Sequence, residues 1–423
     1  MVRSRPKAAV DLGKGFELAQ SKREERGIRR VDLAYVQLAS SEIARDINRD
    51  VVLELIRARQ PISRADLARL SGLQRSTISL IVEELLEESW IKEGAVARRP
   101  RGRRPTLLNL NDDLVMVVCD VRPTQAVIAV VDLNGRFLTR EALPVLSDPV
   151  KAVGQMMERM KRLRQKYAQK SFEGIGLSLP GRVDPVTQSL IFAPNLKWPK
   201  FDIKKAIERE MGLKVEMDNA ANACLLSELW FGHMDGVRNA VLVTISEGIG
   251  TGILANGQLV LGGSGMAGEF GHVPMDPSGP KCACGACGCW ETLASSTAAL
   301  RYYAELSRDA RGLTMHDLIK RAEEGDLHAH EAIEKQAHMI GRGLRAVLAA
   351  FSPEVILIAG DVTSAWSRVA PIVQEELAAL VLAGSVPRVV AVEESEVARL
   401  RGAAALVLQR HSGQQPVKAR SHS

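Results

Sequence analysis

A histidine and four closely spaced cysteines form the densest group of metal-ligating residues in the sequence. Residues 269–272 read Glu-Phe-Gly-His, and four cysteines then fall within eight residues, at positions 282, 284, 287 and 289. One imidazole and three thiolates satisfy the tetrahedral coordination of a structural zinc ion. We therefore predict one structural zinc ion per chain, bound by His272, Cys282, Cys284 and Cys289.

Two alternatives to this ligand set stay open from the sequence alone. Cys287 could replace one of the three sulfur ligands, because composition does not rank four thiols. Cys284 and Cys287 also form a C-x-x-C pair, which is typical of redox sites, but no thioredoxin-like pattern surrounds it. A disulfide scaffold would spread its cysteines along a short secreted chain, so a metal site is favoured.

Polar residues near predicted strand ends suit a sugar ligand. Amide, imidazole and carboxylate side chains that converge on a cleft can bind the hydroxyl groups of a sugar. The candidates are Asn195, Asn219, Asn222, Glu269, His272 and Glu291. Each asparagine, taken alone, is more often a turn or cap residue.

A glycine-rich loop at residues 246–252 follows a predicted strand. Its sequence, Ser-Glu-Gly-Ile-Gly-Thr-Gly, can expose backbone N–H groups that would cradle a phosphate. The same composition is typical of a hairpin turn, and the loop alone does not decide between the two.

The front of the chain carries a pattern typical of a DNA-binding helix pair. Ser63 is a favourable N-cap for a helix at 64–70, residues 71–73 form a tight turn, and a second helix follows at about 74–88. The expected buried face of the second helix comprises Ile78, Ile81, Val82, Leu85 and Leu86. Such a helix can enter the major groove of DNA, where the candidate contacts are Gln74, Arg75, Ser76 and Ser79.

A basic segment after the helix pair predicts a β-hairpin wing. Residues 98–105 read Arg-Arg-Pro-Arg-Gly-Arg-Arg-Pro, and an apolar stretch follows. A slim positive tip of this kind suits phosphates or a narrow minor groove. The candidate contacts are Arg98, Arg99, Arg101, Arg103 and Arg104.

The distribution of charge supports binding to a polyanion at the front of the chain. The formal net charge of the whole chain is +6, and residues 1–110 carry 22 Lys and Arg against 15 Asp and Glu. The remainder of the chain is close to neutral. Together with the helix pair and the wing, this asymmetry predicts DNA binding.

Length and composition indicate a multidomain globular protein. The chain has 423 residues, of which 46% are hydrophobic and 25% charged, and no apolar run is long enough for a membrane span. No apolar stretch follows the basic N-terminus, so we expect no signal peptide and a cytoplasmic location. We expect a basic arm at 1–44, a winged helix-turn-helix at 45–110, an α/β body at 111–410 and a polar tail at 411–423.

Alternating strands and helices define the body. Strand-like runs occur at 115–121, 126–131, 174–179, 240–245 and 355–360, and helices are expected near 149–167, 290–306, 326–351 and 364–382. This alternation over about 300 residues predicts an α/β region large enough for two lobes.

These motifs resemble the ROK family of repressors, open reading frames and sugar kinases. The resemblance rests on E-x-G-H at 269–272, C-x-C-G-x-x-G-C-x-E at 282–291, Leu-Pro-Gly at 179–181 and Pro-Asn at 194–195. It implies a two-lobed, actin-like sugar-kinase fold of the ribonuclease H type, and sugar binding between the lobes. It implies contacts of His272 with both zinc and sugar, and it maps the sugar-binding positions onto Gly181, Asn195, Asn219, Glu269, His272 and Glu291.

Two departures from the kinase members of this family predict that the chain is not an enzyme. Phosphoryl transfer to a sugar hydroxyl needs a carboxylate base, but the position that the resemblance assigns to the base is Ala220. The adjacent Asp218 is expected to point the other way if this stretch ends a strand. In the first phosphate loop, Arg122 and Pro123 replace glycines, and Pro123 also removes an N–H donor.

The sequence therefore predicts a sugar-responsive DNA-binding regulator, expected to be a repressor, with an inactive sugar-kinase-like domain. The expected partners are a palindromic DNA operator, a small sugar or sugar phosphate, and further copies of the chain in a homodimer or homotetramer. The alternatives are an ATP-dependent sugar kinase that also regulates transcription, and a regulator that a protein partner switches.

Overall fold

The computed structural model describes residues 41–96, 105–193, 195–196, 198, 201–232, 234, 236–307, 310–379 and 386–410. The chain divides into two compact units, residues 1–46 and 47–423. Within the described segments, the model has no helix that combines the length and the apolar character needed to cross a lipid bilayer.

The front of the chain, which we call the head (residues 47–110), contains short helices and a small sheet. Its elements are α1 (Ser41–Arg59, which begins before the head), β1 (Ile62–Ser63), α2 (Arg64–Ser71), α3 (Arg75–Glu87), β2 (Ile91–Val96) and β3 (Thr106–Leu110). The three strands form an antiparallel sheet in the order β1-β3-β2.

Local sequence signals set the ends of α2. Ser63 accepts a hydrogen bond from the backbone N–H of Asp66 at 3.2 Å, as an N-cap does. Gly72 ends the helix in the left-handed conformation, with a φ of 72°, and its N–H donates to the carbonyl of Ala68. Helix α3 buries Ile78, Ile81, Val82 and Leu85, which confirms the predicted spacing, while Leu86 is half-buried.

Residues 47–423 contain two five-stranded sheets beyond the head. The elements around the first sheet, which we call lobe 1, are β4 (Leu114–Val121), β5 (Gln125–Asp132), β6 (Phe137–Pro144), α4 (Pro149–Lys166), β7 (Ser171–Leu179), β8 (Arg182–Val183), β9 (Leu190–Phe192), α5 (Ile203–Met211) and β10 (Val215–Asn219). The sheet order is β10-β7-β4-β5-β6, in which β10, β7 and β4 are parallel, and β8 and β9 form a separate hairpin.

The second sheet belongs to lobe 2. The elements from the end of β10 onward are α6 (Ala220–Phe231), β11 (Ala240–Ile245), β12 (Ile249–Ala255), β13 (Gln258–Leu259), α7 (Trp290–Ala294), α8 (Ser296–Leu306), α9 (Met315–Glu323), α10 (Leu327–Phe351), β14 (Val355–Ala359), α11 (Trp366–Ala378), β15 (Arg388–Ala391) and α12 (Ser395–Gln409). The sheet order is β13-β12-β11-β14-β15, and short 3₁₀ turns occupy Glu269–His272 and Asp361–Ala365. We call this sheet and the elements packed on it lobe 2, whereas α12 packs against β4 of lobe 1.

The predicted strands are all present, because each is an apolar run that lies buried in a sheet. Every residue of β4, β11 and β14 is buried, as expected for strands covered on both faces. The prediction of one helix over 290–306 is wrong: Ser295 is extended, ends α7 and caps α8 through the N–H of Ala298. The helix predicted at 364–382 is shorter, because a 3₁₀ turn precedes α11.

The head and lobe 1 share one hydrophobic core. Val52, Ile56 and Leu108 of the head pack in the same buried cluster as Met116 of β4 and Leu400 of α12. The cluster is continuous, so the apolar face of the head is stabilised by residues of the body as well as by its own.

Polar contacts reinforce this junction. The side-chain amide of Gln60 donates to Asn134 Oδ1 at 2.6 Å, and its oxygen accepts from the N–H of Leu110 at 2.9 Å. Arg57 donates to the carbonyl of Trp230. Gln60 therefore holds the end of α1, strand β3 and the turn after β5 together.

We expect Gln60→Ala to lower the free energy of unfolding by about 1–3 kcal/mol, because it leaves the buried N–H of Leu110 without its acceptor. Equilibrium denaturation by urea measures the change. The control is Gln125→Ala, since Gln125 is exposed. Equal stability of the two variants would contradict the role given to Gln60.

Candidate functional site

The four residues predicted to bind a metal lie together. One ligand atom from each of His272, Cys282, Cys284 and Cys289 falls within 4.8 Å of the others. Cys282 Sγ is 3.4 Å from His272 Nδ1, and Cys284 Sγ is 3.6 Å from Cys289 Sγ. Thiolates around a tetrahedral zinc ion, at about 2.3 Å from the metal, lie about 3.8 Å apart, so this donor set fits a small soft cation.

The fourth cysteine of the motif lies outside this group. Cys287 is exposed, and it forms an isolated antiparallel bridge with Lys281. The geometry therefore favours the first of the two ligand sets considered from the sequence, in which Cys287 is not a ligand. All six cysteines of the chain are free thiols here, so the motif is not a disulfide pair.

The electrostatic surroundings of the three thiols differ. Burial raises the pKa of Cys282, and burial together with the neighbouring thiols raises the pKa of Cys289 to about 12. The backbone N–H of Ala286 is the main cause of a lowered pKa at Cys284. Three thiolates in this pocket need a positive charge among them, which a divalent cation would supply.

The backbone around the cluster joins two segments that are distant in sequence. Pro274 bridges Cys289, and the N–H of Trp290 donates to the carbonyl of Val273 at 3.0 Å. Cys289 is the N-cap of α7, so the cluster fixes the position of the helix that carries Glu291.

His272 faces two different groups through its two ring nitrogens. Nδ1 faces Cys282, while Nε2 lies 3.6 Å from Glu269 Oε2. The ring can therefore contact a metal on one side and the cleft on the other, as the family resemblance implies. Burial raises the pKa of Glu269, although His272 and Arg182 act in the opposite direction.

Glu291 connects the cluster to the glycine-rich loop. Its Oε2 accepts from the N–H of Ile249 at 3.0 Å, and its Oε1 is 4.0 Å from Cys282 Sγ. A Cβ on Gly248 would lie 2.3 Å from Glu291 Oε2 and 3.7 Å from Asn195 Nδ2. Asn195, Gly248 and Glu291 therefore lie close together, and a larger residue at position 248 would displace the carboxylate of Glu291.

Gly181 and Asn219 lie at the carboxyl ends of neighbouring strands. Gly181 has a φ of 100°, and a Cβ there would lie 2.1 Å from the carbonyl oxygen of Phe192. Asn219 Oδ1 accepts from the N–H of Asn222 at 2.8 Å, so Asn219 is the N-cap of α6. The cap interpretation of Asn219 is thus correct.

Ala220 and Asp218 flank this cap. Ala220 is the first residue of α6 and is buried. The carboxylate of Asp218 accepts from the N–H of Asn219 at 2.6 Å and from Asn222 Nδ2 at 3.1 Å, and burial raises its pKa to about 6. Asp218 is therefore tied to the base of α6, and Asn222 has a structural role.

Sequence reasoning missed a row of polar side chains across three parallel strands. Asp218, Ser178 and Asp120 are register partners on β10, β7 and β4. Ser178 donates to Asp120 Oδ1 at 3.1 Å. Ligands bind at the carboxyl ends of parallel strands, and a polar residue just before each strand end is the signal that could have found this row.

Arg122 pairs with this row. Its Nε donates to Asp120 Oδ2 at 2.8 Å, and Arg399 lies 3.9 Å from the same carboxylate. Glu247 and Asp361 of lobe 2 also act on the Arg122 guanidinium electrostatically. The positively charged guanidinium of Arg122 therefore lies where the resemblance implies the first phosphate loop.

The DNA-binding candidates are only partly described. Gln74, Arg75 and Ser76 are exposed at the start of α3, and Ser79 is half-buried one turn later. The remaining candidates, Arg98, Arg99, Arg101, Arg103 and Arg104, lie outside the described residues.

Comparison with known proteins agrees with these motifs. The model of the ROK family matches residues 117–410. The chain belongs to the ROK family. This confirms the family resemblance and the two-lobed α/β fold class that the motifs predicted.

Relatives of the chain include named regulators. The xylose repressor of Bacillus subtilis strain 168 is 31% identical over 331 residues, which cover 77% of this chain and 85% of the repressor. The DNA-binding transcriptional dual regulator NagC of Escherichia coli K12 is 26% identical over 349 residues, or 80% of this chain and 86% of NagC.

Solved structures of both regulators and kinases are similar. The crystal structure of a ROK family transcriptional regulator homologous to the E. coli MLC protein has a TM-score of 0.76 at 28% identity, and the match covers 88% of this chain and 98% of that one. A ROK family glucokinase from Streptomyces griseus, in complex with glucose and AMPPNP, has a TM-score of 0.65 at 26% identity, with coverages of 70% and 99%.

We expect the purified chain to contain one metal ion, and Cys284→Ser to lose it. Removing one of three thiolates weakens a tetrahedral site and lowers stability. Elemental analysis gives the metal content, and thermal unfolding gives the stability. Cys287→Ser is the matched control and should behave as the wild type; a Cys287 variant that loses the metal instead would show that the other thiol set is correct.

The raised pKa of Asp218 predicts a pH-dependent contribution to stability. The folded chain keeps the Asp218 proton up to about pH 6, whereas the ordinary value is 3.8, so stability falls as the pH rises through this window. Asp218→Asn should reduce the loss of stability between pH 4 and pH 7 by roughly 3 kcal/mol at most, so that the slope becomes shallower. Urea denaturation at pH 4 and pH 7 measures it, with exposed Asp113→Asn as control; an unchanged slope refutes the assignment.

Proposed function

We propose that this chain is a sugar-responsive, DNA-binding transcriptional repressor whose sugar-kinase-like cleft does not transfer phosphate. One observation carries the proposal: a helix pair with an exposed polar second helix precedes a ROK cleft in the same chain. The xylose repressor and NagC, both regulators by name, align with more than three quarters of the chain.

In this proposal, the head binds DNA. The exposed start of α3 carries Gln74, Arg75 and Ser76, which can contact base edges in the major groove, and Ser79 follows on the same face. The five arginines of residues 98–104 would hold the backbone or the minor groove. A dimer or tetramer would present paired heads to a palindromic operator.

The cleft would bind the effector. Asn195, Glu269, His272 and Glu291 converge on the glycine-rich loop, with Gly181 and Asn219 at the strand ends of lobe 1. Carboxylates and amides of this kind match sugar hydroxyls. A zinc ion in the thiol cluster would hold the segment that carries three of these side chains, so that the site is formed before the sugar arrives.

Two local features support the absence of catalysis. Ala220 offers only a methyl group at the position implied for the base, and the carboxylate of Asp218 is hydrogen-bonded to α6. Arg122 is paired with Asp120 where a nucleotide phosphate would need space. These two departures favour the repressor over the kinase function of the similar glucokinase structure.

The kinase alternative is favoured by one observation, the glycine-rich composition of residues 246–252, although these residues form a tight hairpin turn between β11 and β12. A coupled ATP assay across pentoses, hexoses and amino sugars separates the two functions. We expect no turnover above background. Sustained sugar-dependent ATP consumption would overturn the proposal that the cleft is inert.

The DNA-binding role predicts the effect of Arg75→Ala. This exposed side chain can make a bidentate contact to a guanine, so its loss should weaken binding to the operator by about 1–3 kcal/mol. Gel shifts with promoter fragments, with and without a sugar panel, measure binding and response. Arg388→Ala, at an exposed arginine of β15, is the control. Wild-type chain that shifts no promoter fragment would refute the repressor function.

A further inference from the structure

Arg182 follows Gly181 directly and has hydrogen-bond donors that the described residues do not satisfy. Its Nε is buried and no described residue accepts from it. One terminal nitrogen contacts the sulfur of Met266, which is a weak acceptor. A buried donor without an acceptor costs about 1–3 kcal/mol, so the free chain bears a cost that an added acceptor would relieve.

Arg182 connects a strand of lobe 1 to a loop of lobe 2. Arg182 begins β8 in lobe 1 and is the register partner of Phe192, whereas Met266 precedes Glu269 in lobe 2. A Cβ on Gly265 would lie 2.7 Å from the carbonyl oxygen of Val183, so the loop that carries Met266 and Glu269 lies against β8. Arg182 is close enough to Glu269 to act on its carboxylate electrostatically.

The charges around this space decide which ligand fits. Glu269 and Glu291 contribute two carboxylates to the cleft wall, and Arg182 contributes one guanidinium. Farther inside, the carboxylates of Asp120, Glu247 and Asp361 act electrostatically on Arg122 or lie near Arg399, so that carboxylates outnumber guanidinium groups there as well. A phosphate or carboxylate on the ligand would meet an excess of like charge, whereas a hydroxyl group donates to a carboxylate and accepts from a guanidinium.

We propose that Arg182 is an effector-binding residue that donates to the hydroxyl oxygens of a neutral sugar, and that the cleft selects neutral sugars against their phosphorylated forms. This rests on the proposed sugar-responsive function. The family motifs identified Gly181 as a sugar-binding position, but they did not identify Arg182, the residue after it. Arg182 completes the site, because the carboxylates accept hydrogen bonds and Arg182 provides the charged donor.

Calorimetric titration of the full chain tests this proposal. The ligands are neutral pentoses, hexoses and N-acetylhexosamines, each beside its phosphorylated form. We expect the wild type to bind a neutral sugar, Arg182→Ala to bind it at least about 10-fold more weakly, and Arg182→Lys to recover part of the loss. Arg162→Ala, at an exposed arginine of α4, should match the wild type.

Thermal unfolding without sugar separates binding from a structural role. Arg182→Ala removes an unpartnered buried donor, so its unfolding temperature should equal or exceed that of the wild type. A lower value together with unchanged sugar affinity would assign Arg182 to structure and overturn the inference.

The outcomes distinguish this inference from the function on which it rests. A wild-type chain that binds none of the sugars refutes the sugar-responsive function itself. If the wild type and Arg182→Ala bind a neutral sugar equally tightly, only the role of Arg182 is refuted. Tighter binding of a phosphorylated sugar than of its neutral form refutes the selection by charge.

Discussion

The short distances among one imidazole and three thiols fix the geometry of the whole cleft wall in lobe 2. Because Cys282 faces Nδ1 of His272, the other ring nitrogen faces Glu269. Because Cys289 begins α7, Glu291 follows at a set position and holds the glycine-rich loop through Ile249. The side chains of Glu269, His272 and Glu291, which come from two separate segments, are thus placed by one cluster rather than by a continuous sheet or helix.

Structural features that depend on a local pattern of residues could be predicted from the sequence. Buried strands such as β4 and β14 are continuous apolar runs, and the metal-ligating residues lie in one short motif, so both were predictable. The row of Asp120, Ser178 and Asp218 depends on register between strands far apart in the chain, which no local pattern encodes. Arg182 is another such case, since the role proposed for it rests on its buried Nε, for which no residue in the described part of the chain is an acceptor.

Ala220 and Arg122 change the chemistry of the cleft without changing its architecture. Ala220 is accommodated at the first turn of α6, where the cap made by Asn219 is independent of the side chain that follows it. Arg122 is neutralised by Asp120 within its own lobe, so the guanidinium is stable without any nucleotide. In the proposed function, such a cleft would keep its surface for hydroxyl groups while lacking a carboxylate base for proton removal.

The core shared by the head and lobe 1 restricts how a ligand could act on DNA. Val52 and Leu108 pack with Leu400, and Gln60 joins the same junction through Asn134, so the head has no loose hinge to lobe 1. A sugar that draws the lobes together would therefore move the head together with lobe 1. In an assembly, small rotations of the lobes would then alter the distance between the α3 helices of two heads. DNA binding would depend on whether that distance matches the spacing of the operator half-sites.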